Sequence, residues 1–261
     1  MSTTTAAPAT ADRTPAIAAP SLLQLVRIEL RKSCDTRAGR WLLIAIALAA
    51  LAVVAILLFV ADAPKSFADY LSFTQIPTGL ILPVLGILLV TSEWSQRTAM
   101  TTFTLVPRRS RVLTAKVLAA TLLAVLGVVA TVVIAAVATL LTPVVSDSAL
   151  DWGTSGAQLG QVVLLQVISV LVGVGFGMLL LSSPLAIVLY FVLPTVFTIV
   201  TGLVSALRWV GDWLNLNVTT APMPDGGLSG QGWLQLATSV ALWLVLPMVV
   251  GWLRIQRSEI S

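Results

Sequence analysis

The sequence predicts an all-α polytopic membrane protein, with six transmembrane helices and an N-terminal amphipathic interfacial helix. Three observations carry that prediction. Hydrophobic residues make up 57% of the 261 and charged residues only 10%, against about 25% charged in a soluble domain. The apolar residues gather in six runs, each near the roughly 20 residues that a helix needs to cross the hydrocarbon core. The charges also alternate between connecting segments. Of the 15 lysines and arginines, all but Lys65 and Arg208 lie before the first run, between the second and third, or after the sixth. Asp62, Asp69, Asp147, Asp151, Asp212 and Asp225 fall in the other connections. The positive-inside rule then places both termini in the cytoplasm, the same side, as an even number of spans requires. The net charge of +4 thus speaks for orientation, not for a nucleic-acid partner.

The elements follow in order. Residues 1–20 are a Ser/Thr/Ala/Pro tract without an apolar core, expected to be a disordered lead-in and not a signal peptide. Residues 21–40 form the interfacial helix, with Ser21 as its N-cap. Leu22, Leu23, Val26 and Leu30 share one face, and Arg27 and Arg31 the opposite one. That pattern suits a helix lying on anionic headgroups and equally a helix packed on a partner protein. The six-span transmembrane domain, 41–253, carries spans at about 41–60, 71–92, 117–141, 158–181, 184–207 and 233–253, and residues 254–261 are a cytoplasmic tail. The fourth and fifth spans are separated only by Ser182-Ser183-Pro184. A run of about 50 apolar residues is too long for one crossing, so a tight turn belongs there. Trp209, Trp213 and Trp233 border the last connection and suit an interfacial belt.

Several chemistries are excluded or disfavoured. The chain has no histidine and one cysteine, which removes His-based catalysis, His or Cys metal sites and intrachain disulfides. No P-loop sequence is present. Gly227-Leu228-Ser229-Gly230-Gln231 has the look of an ATPase signature but lacks a glycine and falls in an outer connection. Gly173 and Gly177 sit in an apolar span, where Gly-x-x-x-Gly is a helix-packing face and not a dinucleotide site. No charged residue lies in the middle of a span, which argues against an ion-coupled carrier. Pro77, Gly79, Pro83 and Gly86 in the second span, Pro194 and Gly202 in the fifth, and Pro247 in the sixth are helix breakers. Such residues free backbone carbonyls that a cavity can use, making spans two and five candidates for a translocation surface; kinks that serve only packing are the alternative.

The most informative stretch is the 93–116 loop. Ser95 to Leu105 can form a short helix ended by Pro107, with Ser110 able to cap the next span. Such a helix, held between two spans, can transmit movement from a cytosolic partner; an ordinary basic loop that sets topology is the bland alternative. Glu93-x-x-x-Arg97-Thr98, then Pro107-x-x-Ser110-Arg111-Val112-Leu113-x-x-Lys116, resembles the corresponding loop of ATP-binding-cassette (ABC) exporter permeases of the second type. Arg97-Thr98 stands where Gly-Thr is common in that family. Glu29-x-x-Lys32, Thr36-Arg37 and Trp41 resemble its approach to span one, and the topology resembles it over the whole chain.

The resemblance implies a permease subunit whose loop is a coupling helix seated on a separate ABC ATPase. Glu93, Arg97, Thr98, Phe103, Pro107, Arg108, Arg109, Arg111 and Lys116 are the interface residues it implies. No cofactor is expected in this chain, since ATP and magnesium would sit on the partner, and no catalytic residue is expected either. The implied partners are the ATPase subunit, a second permease copy or a similar permease, and membrane lipids; the implied location is the plasma membrane, in a chain of bacterial style. Short re-entrant helices in the 208–232 connection are also implied. Two other functions stay open: a non-transporting anchor or scaffold for a cytosolic partner, and a secondary carrier.

Overall fold

Among the described residues, six helices are long and apolar enough to cross a membrane: α2 (Arg37–Phe59), α3 (Phe67–Ser95), α4 (Arg109–Val145), α5 (Gly156–Leu180), α6 (Ser183–Leu203) and α9 (Gln231–Arg257). They are preceded by α1 (Leu22–Asp35), and two short helices, α7 (Arg208–Leu214) and α8 (Leu216–Thr220), lie between α6 and α9. The structure, a computed structural model, describes residues 20–60, 62–96 and 108–257.

The lead-in differs in detail from the 21–40 helix expected. Ser21 does cap it, in a capping box with Gln24. The helix then stops at Thr36, which is extended (ψ 146°) and whose hydroxyl accepts from the Gly39 amide at 3.1 Å. A threonine that competes for a backbone donor in this way breaks a helix and starts another. The turn is tight enough to need glycine, because a Cβ on Gly39 would lie 1.8 Å from the Ser33 carbonyl oxygen. The buried face of α1 is Leu25, Val26, Glu29 and Ser33, while Leu23 is exposed. The stripe is therefore rotated from the one expected, and it packs on α2, α3 and α4.

The spans α3 and α5 are the most buried and form the centre. Their crossing is close because glycines meet backbone. A Cβ on Gly173 would lie 2.6 Å from the Pro83 carbonyl oxygen, and one on Gly177 3.2 Å from that of Ile87. Gly175, turned the other way, faces Leu244 and Met248 of α9 at 3.3 Å. Removing side chains lets helix axes approach and increases van der Waals contact, which is what drives association where no hydrophobic effect operates. Pro77 and Pro83 lie within a continuous α3.

Both described ends of the chain meet at one end of the bundle. Arg111 Nη2 donates to the Pro20 carbonyl at 2.9 Å, and Arg109 Nη1 to that of Ile255 at 2.8 Å. We call this end the terminal face. The helix α4 starts there without a side-chain cap, at N-cap Arg108, so Ser110 is inside the helix and does not cap it. Its 37 residues reach about 55 Å at 1.5 Å per residue, longer than a hydrocarbon core about 30 Å thick.

The α5–α6 turn is as short as the sequence required. Leu181 adopts a left-handed conformation (φ 55°, ψ 20°), Ser182 is extended, and α6 begins at Ser183. Away from the terminal face, α7 and α8 make a hairpin that dips between α6 and α9. The Thr238 hydroxyl, about 10 Å along α9 from its start, donates to the Trp213 carbonyl, and Trp243 Nε1 to that of Leu214. Asn215 at the tip donates to Thr198 of α6. The stretch Gly227–Gln231 lies at this same end, where Gln161 exchanges hydrogen bonds with Leu228.

Candidate functional site: a buried ion cluster on the terminal face

Four charged side chains from three helices converge where α1 lies across α3 and α4. Glu29 and Lys32 come from α1, Glu93 from the last turn of α3, and Lys116 from the second turn of α4. Lys116 Nζ donates to Glu29 Oε2 at 2.7 Å and to the Leu89 carbonyl at 2.9 Å, and stands 3.2 Å from Glu93 Oε1. Lys32 Nζ donates to Glu29 Oε1 at 3.1 Å and to Glu93 Oε1 at 2.9 Å. Signs alternate around the ring, and the sum is zero.

Burial separates the members. The side chains of Lys116, Glu29 and Glu93 are 3%, 6% and 7% exposed, whereas that of Lys32 is 46% exposed. Three ions out of water are tolerable only because each has more than one partner; a buried charge left single costs several kcal/mol. Burial by itself pulls the Lys32 ammonium down most strongly, but the charge of Glu29 and the hydrogen bond and charge of Glu93 outweigh it and hold the group above its usual 10.5.

The sequence-predicted loop residues divide here. Glu93 and Lys116 are turned inward and tie α3 and α4 to α1. Arg111 and Arg109 hold the two described chain ends. Arg108 is exposed, beside the start of α4. Arg97, Thr98, Phe103 and Pro107 lie outside the described residues, as does nearly all of the expected short helix; Ser95, at its start, is the last residue of α3. Glu29 and Lys32 were absent from the predicted set. The signal that could have found them is Glu29 following Leu25 and Val26 at i+4 and i+3, which places the acid on an apolar stripe.

What the arrangement supplies is mechanical. It makes α1 and both flanks of the 97–107 segment one body. A cleft of about 160 Å³ opens beside it, lined by Lys32, Ser92, Gln96 and Ser183. No group of residues fit to hold a metal occurs among the described residues. No protein-family model matches this sequence, and no curated protein matches it significantly. The fold is that of an all-helical, six-span membrane protein.

Proposed function

We propose that this chain is the transmembrane permease subunit of an ABC exporter, forming the translocation path and coupling it to a separate ATPase subunit. The observation that supports this reading is the ion-clamped frame. A lever moved by a cytosolic motor must be fastened rigidly to the spans, and Glu29, Glu93 and Lys116 fasten α1, α3 and α4 together on either side of the loop. Six spans would supply half a pathway, so a second copy or a similar permease would complete it. Both termini and the clamp would face the cytoplasm of a bacterial plasma membrane. ATP and magnesium would bind the partner, and this chain would be no enzyme. Closure of the ATPases would rock the two halves as rigid bodies.

The test is purification from native membranes in mild detergent. A stoichiometric P-loop ATPase is expected, with recovery reduced by Arg108→Glu, which reverses an exposed charge without touching the clamp. Recovery of the intact chain alone, under conditions that preserve such complexes, would overturn the proposal and leave the anchor or secondary-carrier alternatives, which transport in vesicles separates.

A further inference from the structure

Away from the terminal face, a cleft of about 310 Å³ opens between α3, α5, α6 and the hairpin helix α8. Its polar lining is Ser169, Tyr190, Thr195, Asn217 and Thr220, and Gly79 lies on its wall. None of its lining residues is Asp, Glu, Lys or Arg.

The hydrogen-bonding capacity of this lining is lopsided. A hydroxyl has one proton to donate. That of Ser169 goes to the Leu165 carbonyl, that of Thr195 to Phe191 and that of Thr220 to Leu216, at 2.9, 2.7 and 2.6 Å. Asn217 directs its amide nitrogen at Thr198 Oγ1, 3.1 Å away. What the three hydroxyls leave for a guest is lone pairs, and Asn217 keeps its carbonyl oxygen together with one amide N–H. Two backbone carbonyls also lack their usual helical donor. Pro83 has no N–H for the carbonyl of Gly79 four residues earlier, and Pro194 has none for that of Tyr190. Both deprived residues line this one cleft. The Tyr190 hydroxyl, which makes no hydrogen bond among the described residues, is the second donor left over. Tyr190 is set edge-on to Phe191 and Phe176.

We infer that this cleft binds a neutral amphiphile whose head carries a hydroxyl group. The head donates to the surplus acceptors and accepts from Tyr190, and the apolar part lies along Leu80, Ile168 and Val172. Carboxylates and phosphates are disfavoured, since no cation faces them and a lone charge is costly at this depth. A head that only accepts meets two donors, Tyr190 and the second Asn217 N–H, among a larger number of lone pairs. The inference goes beyond the ATP-driven reading and does not require it: ATPase recovery and ligand binding fail independently.

The test uses the full chain in lipid nanodiscs, photolabelled with a long-chain alcohol bearing a diazirine in its chain. Label is expected on α5 and α6 around Ser169 and Thr195, and dodecanol should compete it away. Methyl laurate, which cannot donate, should compete about fivefold more weakly, the loss of one hydrogen bond, and laurate anion more weakly still. Pro83→Ala and Pro194→Ala, which supply the missing N–H, should each weaken dodecanol about fivefold, while Pro143→Ala in α4 should not. Thr195→Val removes an acceptor at an exposed position and serves if either proline variant misfolds. Equal competition by the ester, or label spread over lipid-facing residues without competition, would overturn the inference.

Discussion

Replacing Lys116 by Met keeps the length of the side chain and removes its charge. The residue is 3% exposed and faces two carboxylates that are 6% and 7% exposed. Its loss leaves Glu29 and Glu93 with one shared cation, Lys32, and a net charge of −1 in a buried site. Removing one partner from a buried pair costs about 3–5 kcal/mol, most of it the penalty for the charge left behind. At about 1.4 kcal/mol per factor of ten, the lower figure raises the opening of α1 by about two orders of magnitude. Lys32→Met leaves the same net charge of −1, but on the water-facing side of the ring, where the lost side chain is 46% exposed, and should cost less, about 1 kcal/mol, toward the range of solvent-screened pairs. The assay is amide hydrogen exchange over Leu22–Asp35 in nanodiscs. Glu29→Gln combined with Lys116→Met restores neutrality, leaving Glu93 with Lys32, and should recover most of the lost protection, a coupling that a double-mutant cycle measures. Equal effects from Lys116→Met and Lys32→Met would refute the argument that burial sets the cost of a lost cation, and a double variant no better protected than Lys116→Met would refute the argument that α1 is held by charge balance.

Two further outcomes follow from the same geometry. Lys32 is held above 10.5, so the stability it adds is complete below that value and is lost as pH climbs through the raised one; α1 protection should be flat across neutral pH and fall only in strong alkali. At the helix crossings, Gly173→Ala, whose Cβ would sit 2.6 Å from a backbone oxygen, should lower the melting temperature by more than Gly177→Ala, at 3.2 Å. The first should cost about 1–3 kcal/mol, whereas Gly202→Ala, with nothing within 4 Å, should stabilise by up to about 1 kcal/mol.

The sequence by itself determined the class, the number of spans and the place of the α5–α6 turn. Those rest on one-dimensional quantities: run length against bilayer thickness, and charge against its absence. They hold whatever the helices do to one another. Gly173 and Gly177 were legible as a packing face for the same reason, since a four-residue spacing puts both on one side of a helix. What packs on that face was not legible, because it depends on where α3 crosses.

The tertiary structure decided the partners. Glu29 and Lys116 are 87 residues apart, and nothing local pairs them; they meet because Thr36 and Gly39 fold α1 back over α3 and α4. The exposed apolar residues in α1 blurred its true face, for Leu23 and Leu25 weigh alike in a hydrophobic pattern yet only Leu25 is buried. The prolines are the middle case. Their power to free a carbonyl could be read from the residue type alone, but that Gly79 and Tyr190, on α3 and α6, open onto one cleft is a fact of packing, since helices distant in sequence share a cavity only through their crossing angles and the hairpin that closes it.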